Sequence, residues 1–383
     1  MPVRILHAHS TFSLGGKEAR AVRLMNAFGD AAEHVVLSSM PGRLSARDAI
    51  GRHVRVSFPA DAPALAGRPG LGRLFALARY MRRFDLVLTY NWGAFDAVMA
   101  RYLFGKGMGL PPLVHHEDGF NQDEADGLKA RRNLYRRLGL SAAHRLVVPS
   151  VTLEKIAAKA WAQPPERIVR IPNGIATRRY GLAPLADAIP GLHPAEGELV
   201  IGTVAGLRAV KNLPRLVRAF AAMRYPRARL VIVGEGPESE RIVSQARACG
   251  VADRVHLPGF LSDPAAFLGG FDIFALSSDS EQFPIALVEA MAAGLPAVAT
   301  AVGDVAAIVS RDNLPLIVDA DDEPAFALAL DTLAERPDLR RSIGRANREK
   351  ALADYDESEM IRRYARLYGE ALGDPHAFTG MGA

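Results

Sequence analysis

Short apolar runs alternate with segments of helical periodicity along both halves of the chain. Parallel strands buried on both faces give such short apolar runs, and amphipathic helices give the 3.6-residue period. The predicted strands cover residues 3–9, 34–38, 54–58, 85–90, 145–150, 168–171, 199–204, 229–233, 254–257, 273–276, 297–300 and 316–318, and residues 113–120 contain a further strand and its end. The predicted helices cover residues 18–28, 71–83, 95–104, 128–145, 214–223, 285–293, 342–353 and 358–368. This alternation predicts an α/β fold with ligands at the carboxyl ends of the strands.

A change in composition divides the chain near its middle. The turn Pro172-Asn173-Gly174 is followed by a stretch rich in Ala, Pro and Gly, residues 178–198, that we interpret as a linker. With 383 residues the chain is long enough for two cores. The predicted domains are residues 1–176 and 177–356, and residues after Gly373 are expected to be disordered.

Composition narrows the classes of partner. The single cysteine, Cys249, fits a reducing compartment, and neither a signal segment nor an apolar run of membrane-spanning length is evident, so we expect a cytoplasmic protein. The net charge of +5 favours anionic partners, namely nucleotide diphosphates, an anionic membrane surface or nucleic acid. Nucleic acid is disfavoured because no zinc-finger spacing, RNP-like motif or long basic tail is present.

Two glutamates eight positions apart mark the strongest candidate site. Glu281 lies just before a predicted helix that starts at Pro284 and is closed by Gly294. Glu289 is the only charged residue on that apolar helix, and a carboxylate on a buried helix is costly unless it has a partner. Glu281 alone would fit a helix cap, so the pair carries the functional signal.

Other loops place candidate groups at strand ends. Gly15-Gly16 lets the backbone approach a ligand before a helix, but the segment lacks the pattern of a phosphate-binding P-loop. Arg208 and Lys211 can converge on a diphosphate. The segment 113–120 is the end of a strand and carries His115, His116, Glu117 and Asp118, which lie either at a site or merely on a strand end.

Three further features have simpler explanations. Gly234-Glu-Gly236 lacks the third glycine of a dinucleotide fingerprint, since Ser239 stands there. Asp319-Ala-Asp321-Asp322 precedes a helix start, which favours capping over a metal site. The helix at 128–145 carries Lys129, Arg132 and Arg136 along one face, which fits a solvated face or an anionic membrane surface.

The segment Glu281-Gln-Phe-Pro to Glu289-Ala-Met-Ala resembles the donor site of the retaining glycosyltransferases of family 4, which have the GT-B fold. Gly206-Leu-Arg208-Ala-Val-Lys211-Asn, the Gly15-Gly16 loop and Pro172-Asn-Gly174 resemble the same family. The resemblance implies two Rossmann-like domains facing across a cleft, the first for the acceptor and the second for a nucleotide-diphosphate sugar. It also implies that a final helix, residues 357–372, returns to the first domain.

The resemblance further implies roles for individual residues. Glu281 contacts the donor sugar and Glu289 the ribose, with Gln282, Phe283 and Pro284 beside them. Arg208, Lys211 and the Gly15-Gly16 amides stabilise the diphosphate without a metal or other cofactor, and Phe260 lies near the base. The acceptor-side group is Asp118, His116 or Glu117, because Asp118 stands where the family often has His.

The implied activity is transfer of a sugar, with retention of configuration, to a hydroxyl of a glycan or lipid-linked saccharide in polysaccharide biosynthesis. Other departures from the family pattern are Gln282 in place of Gly, Lys17 in place of Ala, and Arg208 one position late. Two alternatives stay open: a sugar-nucleotide epimerase of the same architecture, and a basic binding or membrane-peripheral protein without turnover.

Overall fold

A computed structural model describes residues 2–13, 15–40, 42–65, 67, 70–119, 129–185 and 187–378. The chain divides into two compact units, which we call unit 1 (Met1–Asn173 with Ser358–Ala383) and unit 2 (Gly174–Glu357). The division after Asn173 lies three residues before the predicted boundary, in the Pro-Asn-Gly turn.

Unit 1 contains a seven-stranded parallel sheet. Its strands are β1 Val3–His9, β2 Ala32–Ser38, β3 Arg55–Ser57, β4 Leu86–Tyr90, β5 Leu113–His116, β6 Arg145–Val148 and β7 Ile168–Arg170. Its helices are α1 Gly16–Phe28, α2 Leu71–Met81, α3 Phe95–Met108, α4 Ala130–Leu140, α5 Val151–Lys159 and, from the end of the chain, α12 Glu357–Leu372. The strand order is β3-β2-β1-β4-β5-β6-β7, so the direction of winding reverses at β1.

Unit 2 contains a six-stranded parallel sheet. Its strands are β8 Leu199–Val204, β9 Ala228–Val233, β10 Val255–Gly259, β11 Ile273–Leu276, β12 Ala297–Thr300 and β13 Ile317–Val318, in the order β10-β9-β8-β11-β12-β13. Its helices are α6 Leu213–Ala221, α7 Ser239–Ala248, α8 Ile285–Ala292, α9 Val305–Ile308, α10 Glu323–Glu335 and α11 Pro337–Asp354. The winding reverses at β8, so the carboxyl ends of β8 and β11 flank the crevice where such sheets bind ligands.

Helix α12 belongs to unit 1, as the resemblance implied for the last helix. Its residues Tyr364 and Tyr368 are buried in a cluster with Phe28 of α1. The chain stays packed beyond the helix, because Phe378 stacks on Phe28 with ring centroids 4.4 Å apart. The predicted disorder after Gly373 is therefore wrong for residues 374–378, and residues 379–383 lie outside the described part of the chain.

Two other expectations need correction. The helix predicted at 128–145 covers only Ala130–Leu140, because Gly139 weakens it and the Ser141 hydroxyl donates to the Leu138 carbonyl, 2.6 Å away, where the helix ends. The stretch 178–198 is not a free linker, since Tyr180 and Ile189 are buried in the core of unit 2. The Ala- and Pro-rich composition of this stretch does not indicate that these two side chains are buried.

Candidate active site

The loops after β8 and β11 are tied together at the carboxyl edge of unit 2. The Ser277 hydroxyl donates to the Lys211 carbonyl over 3.0 Å, and the Asp279 amide donates to the Val210 carbonyl over 2.8 Å. Arg215 on α6 donates to the Ser277 carbonyl and forms an ion pair with Asp279 at 2.7 Å. These contacts hold the two loops in register, so groups predicted from separate sequence motifs lie side by side.

Lys211 and Glu281 form the centre of this edge. The Lys211 ammonium lies 2.5 Å from Glu281 Oε1, which also accepts a hydrogen bond from the Ser278 hydroxyl over 2.7 Å. Their side chains retain 18% and 10% of their exposure, so the pair can be reached from solvent. Arg208 is exposed in the same β8–α6 loop. Two of the predicted diphosphate ligands and the first predicted glutamate therefore share one edge of unit 2.

Glycines set the path of the loops around this pair. A Cβ on Gly303 would lie 2.0 Å from the Glu281 carbonyl oxygen, and one on Gly234 would lie 1.9 Å from the Ala205 carbonyl oxygen. Both residues also have positive φ, 54° and 142°. Only glycine fits at these two positions, because a side chain would collide with backbone that cannot move aside.

Glu289 lies on α8, which starts after Pro284 as the sequence predicted, with Pro284 itself as the residue preceding the first helical turn. The carboxylate is half-buried rather than fully buried, and Tyr180 donates its hydroxyl to Glu289 Oε1 over 2.8 Å. The sequence does not indicate a role for Tyr180, because this residue lies in the segment whose composition favours a linker. This hydrogen bond offsets part of the cost of placing a carboxylate on an apolar helix.

The remaining predicted donor-site residues of unit 2 differ in accessibility. Phe283 packs edge-on against Tyr355, with centroids 5.7 Å apart, and the buried Gln282 Oε1 has no hydrogen-bond partner among the described residues. Phe260 follows β10 and is 66% exposed. Its ring offers an open face, whereas Phe283 mainly supports the loop before α8.

In unit 1, α1 begins at Gly16, two residues before the predicted start at Glu18, with Gly15 as the residue before the first turn. Lys17 pairs with the buried Glu18, which also accepts from the Thr11 hydroxyl over 3.4 Å. The first turn of α1 therefore carries a neutralised Lys–Glu pair.

Asp118 follows β5 and forms a two-pronged ion pair with the buried Arg20 of α1. Arg20 also donates to Asn173 Oδ1 over 2.8 Å, and the Asp118 amide donates to Asn91 Oδ1 over 2.7 Å. Burial acts to raise the pKa of Asp118, but the Arg20 guanidinium outweighs it and holds that pKa below its usual range. Asp118 is thus a carboxylate held by Arg20, a partner that the sequence did not indicate.

His116 lies inside the sheet of unit 1 rather than at its rim. It is 1% exposed, its Nε2 lies 2.8 Å from the Tyr368 hydroxyl, and its Nδ1 lies 3.1 Å from the Thr89 carbonyl. Burial, together with the charge of Arg20, lowers the pKa of His116 to about 3. Since the carbonyl can only accept, Nδ1 carries the proton and Nε2 accepts from Tyr368.

Glu117 is equally buried and faces the other side of the sheet. It lies 3.3 Å from the Arg136 guanidinium, which is fully buried between the rings of Trp92 and Trp161, each centroid 5.0 Å away. The expectation that Arg136 lies on an open basic face of its helix is therefore wrong. Of the three candidates for the acceptor-side group, Asp118 has the most accessible side chain, 12% against 1% for Glu117.

In the segment Asp319-Ala-Asp321-Asp322, the last residue caps the start of α10. The Asp322 side chain accepts from the Ala325 amide over 2.9 Å at the start of α10. Within the described ranges, no three His, Cys, Asp or Glu side chains are grouped so that they could hold a metal ion. The described helices also include none that is long and apolar enough to cross a bilayer.

Two family descriptions match the chain in tandem. The family described as "Glycosyltransferase Family 4" matches residues 14–179, and "Glycosyl transferases group 1" matches residues 188–350. The chain belongs to glycosyltransferase family 4. The second match contains Arg208, Lys211, Glu281 and Glu289, and the first contains Gly15, Gly16 and Asp118.

Curated proteins of similar sequence include several glycosyltransferases. This family-4 chain is 27% identical over 321 residues to D-inositol 3-phosphate glycosyltransferase of Thermobispora bispora, covering 77% of this chain and 75% of that protein. It is 26% identical over 213 residues to N-acetyl-alpha-D-glucosaminyl L-malate synthase of Bacillus anthracis, covering 55% of this chain and 56% of the relative. Most of the curated relatives it matches are covered over about half of their length.

Solved structures confirm the predicted GT-B fold. The Anabaena protein HepE, crystallised with UDP and glucose, superposes with a TM-score of 0.77 at 19% identity, covering 96% of this chain and 100% of HepE. Sucrose-phosphate synthase of Thermosynechococcus elongatus superposes with a TM-score of 0.75 at 20% identity, covering 97% and 99%. The likeness lies in the fold, since both identities are low.

Proposed function

We propose that this family-4 glycosyltransferase uses a nucleotide-diphosphate sugar and transfers the sugar with retention of configuration. The observation that carries the proposal is the accessible Lys211–Glu281 pair beside Arg208 at the carboxyl edge of unit 2. Two cations and a carboxylate at a single edge suit a ligand with an anionic diphosphate and a hydroxyl-rich sugar. The UDP and UDP-glucose bound in the HepE structures support a nucleotide-sugar donor.

Lys211 has to change partners when the donor binds. The Lys211 ammonium forms an ion pair with Glu281 at 2.5 Å. A diphosphate carries more negative charge than one carboxylate and would draw the ammonium toward itself, which frees Glu281 to accept hydrogen bonds from sugar hydroxyls. Glu289, held by Tyr180, would receive the ribose hydroxyls.

The proposed transfer needs no nucleophile from the protein. The bond from the anomeric carbon to the diphosphate oxygen breaks and the acceptor oxygen bonds to that carbon on the same face. The acceptor's proton passes to the departing diphosphate oxygen. Arg208, Lys211 and the amides at the start of α8 stabilise the charge that develops on the diphosphate, without a metal.

On the acceptor side we favour Asp118 over His116 and Glu117. Both His116 ring nitrogens are occupied by Thr89 and Tyr368, so this ring holds the sheet and the last helix together. Asp118 keeps an accessible edge while Arg20 fixes its carboxylate. It can therefore orient an acceptor hydroxyl without having to remove its proton.

We further propose that unit 1 docks on an anionic membrane surface, where a lipid-linked acceptor would be met. Residues 71–83, 95–108 and 129–141, which contain α2, α3 and α4, hold eleven Lys and Arg residues and one acid, Asp96. Arg136 is buried and Arg73 pairs with Asp96, which leaves nine other cationic side chains on these segments. Six large apolar side chains are exposed on these helices: Leu71, Phe75, Tyr102, Leu103, Leu134 and Leu138. Cationic and apolar groups together suit an anionic lipid interface, so vesicles of phosphatidylglycerol should retain the protein and phosphatidylcholine vesicles should not.

The experiment that tests the function is incubation with sugar nucleotides labelled in the sugar, with and without candidate glycan and lipid-linked acceptors. Transfer of label only when an acceptor is present supports the proposal. Conversion of the donor to its epimer without acceptor would instead establish the epimerase alternative. Binding with neither reaction, across a donor panel that stabilises the protein against heat, would establish a non-catalytic protein.

A further inference from the structure

Asn91 is the first residue after β4, at the carboxyl edge of the sheet of unit 1. Winding reverses at β1, and β1 and β4 are neighbours, so their carboxyl ends border the crevice where such sheets bind ligands. The Asn91 backbone amide donates to the His116 carbonyl over 2.8 Å, at the end of β5. Asn91 therefore lies at the border of the crevice, beside the strand that leads to Asp118.

The backbone of Asn91 has an unusual conformation. Its φ is 54° and its ψ is −176°, a combination that glycine adopts readily and that residues with a side chain rarely adopt. Strain of this kind persists where surrounding contacts hold it, and it is concentrated at functional sites. An asparagine stands where glycine would be less strained, so we expect its side chain to have a use of its own.

The Asn91 side chain holds the backbone of Asp118. Asn91 Oδ1 accepts a hydrogen bond from the Asp118 amide over 2.7 Å. A backbone amide can only donate, so the oxygen of the asparagine must face it and Nδ2, which carries two N–H donors, points away. The Asn91 residue is half-buried, so this donor group is fixed in orientation without being enclosed.

Three other asparagines show how such a side chain is completed elsewhere in the protein. Asn26, Asn313 and Asn347 each accept a hydrogen bond from a backbone amide at Oδ1. Each also donates from Nδ2 to a backbone carbonyl, over 3.2, 2.7 and 2.9 Å respectively. Asn91 Nδ2 has no such partner within the described ranges of the chain. Asn91 thus differs from the other three in keeping a fixed donor for a ligand.

Because Asn91 contacts the backbone of Asp118 itself, a donor and a carboxylate lie close together at this edge. The Asp118 side chain keeps 12% of its exposure, and as the ionised partner of Arg20 it can only accept hydrogen bonds. A hydroxyl both donates and accepts, so a hydroxyl between Asn91 Nδ2 and the Asp118 carboxylate would satisfy both groups. A phosphate or carboxylate would instead face the negative charge of Asp118.

We propose that Asn91 is an acceptor-binding residue, whose Nδ2 donates to the oxygen of an acceptor hydroxyl that itself donates to the Asp118 carboxylate. The inference rests on the proposed glycosyl transfer and deepens it. It assigns a further residue to the acceptor site and a chemical class to the acceptor, a neutral saccharide or polyol. Asn91 holds the acceptor, and no bond to Asn91 forms or breaks.

Saturation-transfer NMR with the full chain tests the proposal without requiring turnover. The probes are the methyl glycosides of glucose, galactose, mannose and N-acetylglucosamine, each titrated to about 50 mM so that weak millimolar binding is covered. We expect saturable binding of at least one probe. If none of the four shows saturable binding, the proposal is overturned.

Two substitutions separate acceptor binding from a purely structural role of Asn91. Asn91→Asp keeps an oxygen for the Asp118 amide but has no donor, so it should weaken probe binding by about 3- to 10-fold, the loss of one hydrogen bond. Asn91→Gly removes the side chain from a backbone conformation that glycine tolerates, and should weaken binding as much while the fold is retained.

Asn26→Asp is the matched control in the same unit. It makes the same chemical change where Oδ1 also accepts from a backbone amide, but where Nδ2 donates to the Ala49 carbonyl. Probe binding by this variant should equal that of the parent. Equal weakening in Asn26→Asp and Asn91→Asp would reflect a general loss of structure and would overturn the proposal.

Two further results would overturn it. Parental probe binding by Asn91→Asp would show that Asn91 serves only to hold the Asp118 amide. Calorimetric titration of Asn91→Asp with a free nucleoside diphosphate should give the parental affinity. A loss there as large as the loss of probe binding would show that the substitution does not act on the acceptor alone.

Failure of this inference can be told from failure of the proposed function. Donor binding is measured separately, by thermal shift with a panel of sugar nucleotides. A protein that binds and turns over the donor while Asn91→Asp binds the probes like the parent would contradict only the acceptor inference. Probe binding that depends on Asn91, without any donor binding, would contradict only the proposed function.

Discussion

In unit 1 one group of titratable side chains lies inside the core, whereas in unit 2 the candidate catalytic charges lie at the rim of the sheet. Arg20, His7, His9, His34 and His116 of unit 1 are each at most 3% exposed. In unit 2 the Lys211 and Glu281 side chains keep 18% and 10% of their exposure. Both units consist of a parallel sheet covered by helices, so they differ in how exposed these charged side chains are and not in architecture.

The difference in exposure distinguishes ion pairs that stabilise the fold from ion pairs that can bind a ligand. A buried pair such as Arg20–Asp118 is costly to break, because the carboxylate would lose the cation that compensates its burial. The Lys211–Glu281 pair can be reached from solvent and can exchange partners with a ligand. Variants of the buried charges of unit 1 should therefore affect mainly folding, and variants of Lys211 or Glu281 in unit 2 should affect mainly ligand binding or turnover.

The largest effect is expected for Arg20→Met. It leaves the Asp118 carboxylate buried without its cation, and breaking a buried ion pair costs about 3–5 kcal/mol of unfolding free energy. Urea unfolding followed by tryptophan fluorescence measures unit 1, since Trp92 and Trp161 both lie there. The control is Arg362→Met, which removes an exposed partner of Glu359 and should cost at most about 1 kcal/mol. Equal losses in the two variants would contradict the distinction.

Lys211→Met should leave stability nearly unchanged and lower kcat/KM for transfer by about 10²–10³-fold, because a cation that stabilises the departing diphosphate is lost. Lys350→Met is a matched control, since Lys350 also pairs with an acid of unit 2, Asp354 at 2.6 Å, on the outside of α11. Turnover of Lys211→Met at the parental rate would remove Lys211 from the mechanism.

Acid should destabilise unit 1 before unit 2. Burial lowers the pKa of His34 to about 4 and, together with the Arg20 charge, that of His116 to about 3. Below the unfolded pKa of about 6.5 the unfolded chain binds protons that these folded rings refuse, so stability falls from there toward about pH 4. Each such histidine contributes a slope approaching about 1.4 kcal/mol per pH unit.

This prediction can be checked within one sample. Tryptophan fluorescence reports unit 1, and circular dichroism reports both units. Neither of the two histidines of unit 2, His193 and His256, is buried. Between pH 7 and pH 5 the urea midpoint followed by fluorescence should therefore fall by more than the urea midpoint of unit 2. The unit 2 midpoint is the one in the dichroism signal that has no counterpart in fluorescence. A fluorescence midpoint that does not move would show that the buried histidines do not govern unit 1 stability.

The smallest effect is expected for chelation. With Arg208 and Lys211 as the cations at the diphosphate, EDTA should leave transfer activity unchanged. Activity that is lost with EDTA and restored by manganese would show that a metal shares this role.

Elements whose pattern is local were predictable from the sequence. The predicted ranges of β1, β8, β11 and β12 have the correct residues at both ends. For β8, β11 and β12 the reason is a mostly apolar run, which is typical of a parallel strand buried on both faces. The Glu281 and Glu289 motif was equally visible, since its spacing and the Pro284 helix start are local features.

Features that depend on distant partners were not predictable. Arg20 and Arg136 lie on amphipathic helices where an arginine is usually solvated. Their burial depends on Asp118, 98 residues away from Arg20, and on Trp92 and Trp161 around Arg136. Tyr180 was missed for the same reason, because its partner Glu289 is 109 residues further along the chain.

The central claim for unit 2 is that Glu281 contacts the donor sugar and Glu289 contacts the ribose. Calorimetric titration with a free nucleoside diphosphate tests this claim most directly. Glu289→Gln should weaken binding by roughly 10- to 100-fold, because a charged hydrogen-bond acceptor for the ribose is lost. Glu281→Gln should bind the diphosphate at least as well as the parent, because Lys211 loses its competing carboxylate, while transfer slows. Equal weakening in both variants, or undiminished binding in Glu289→Gln, would contradict the account.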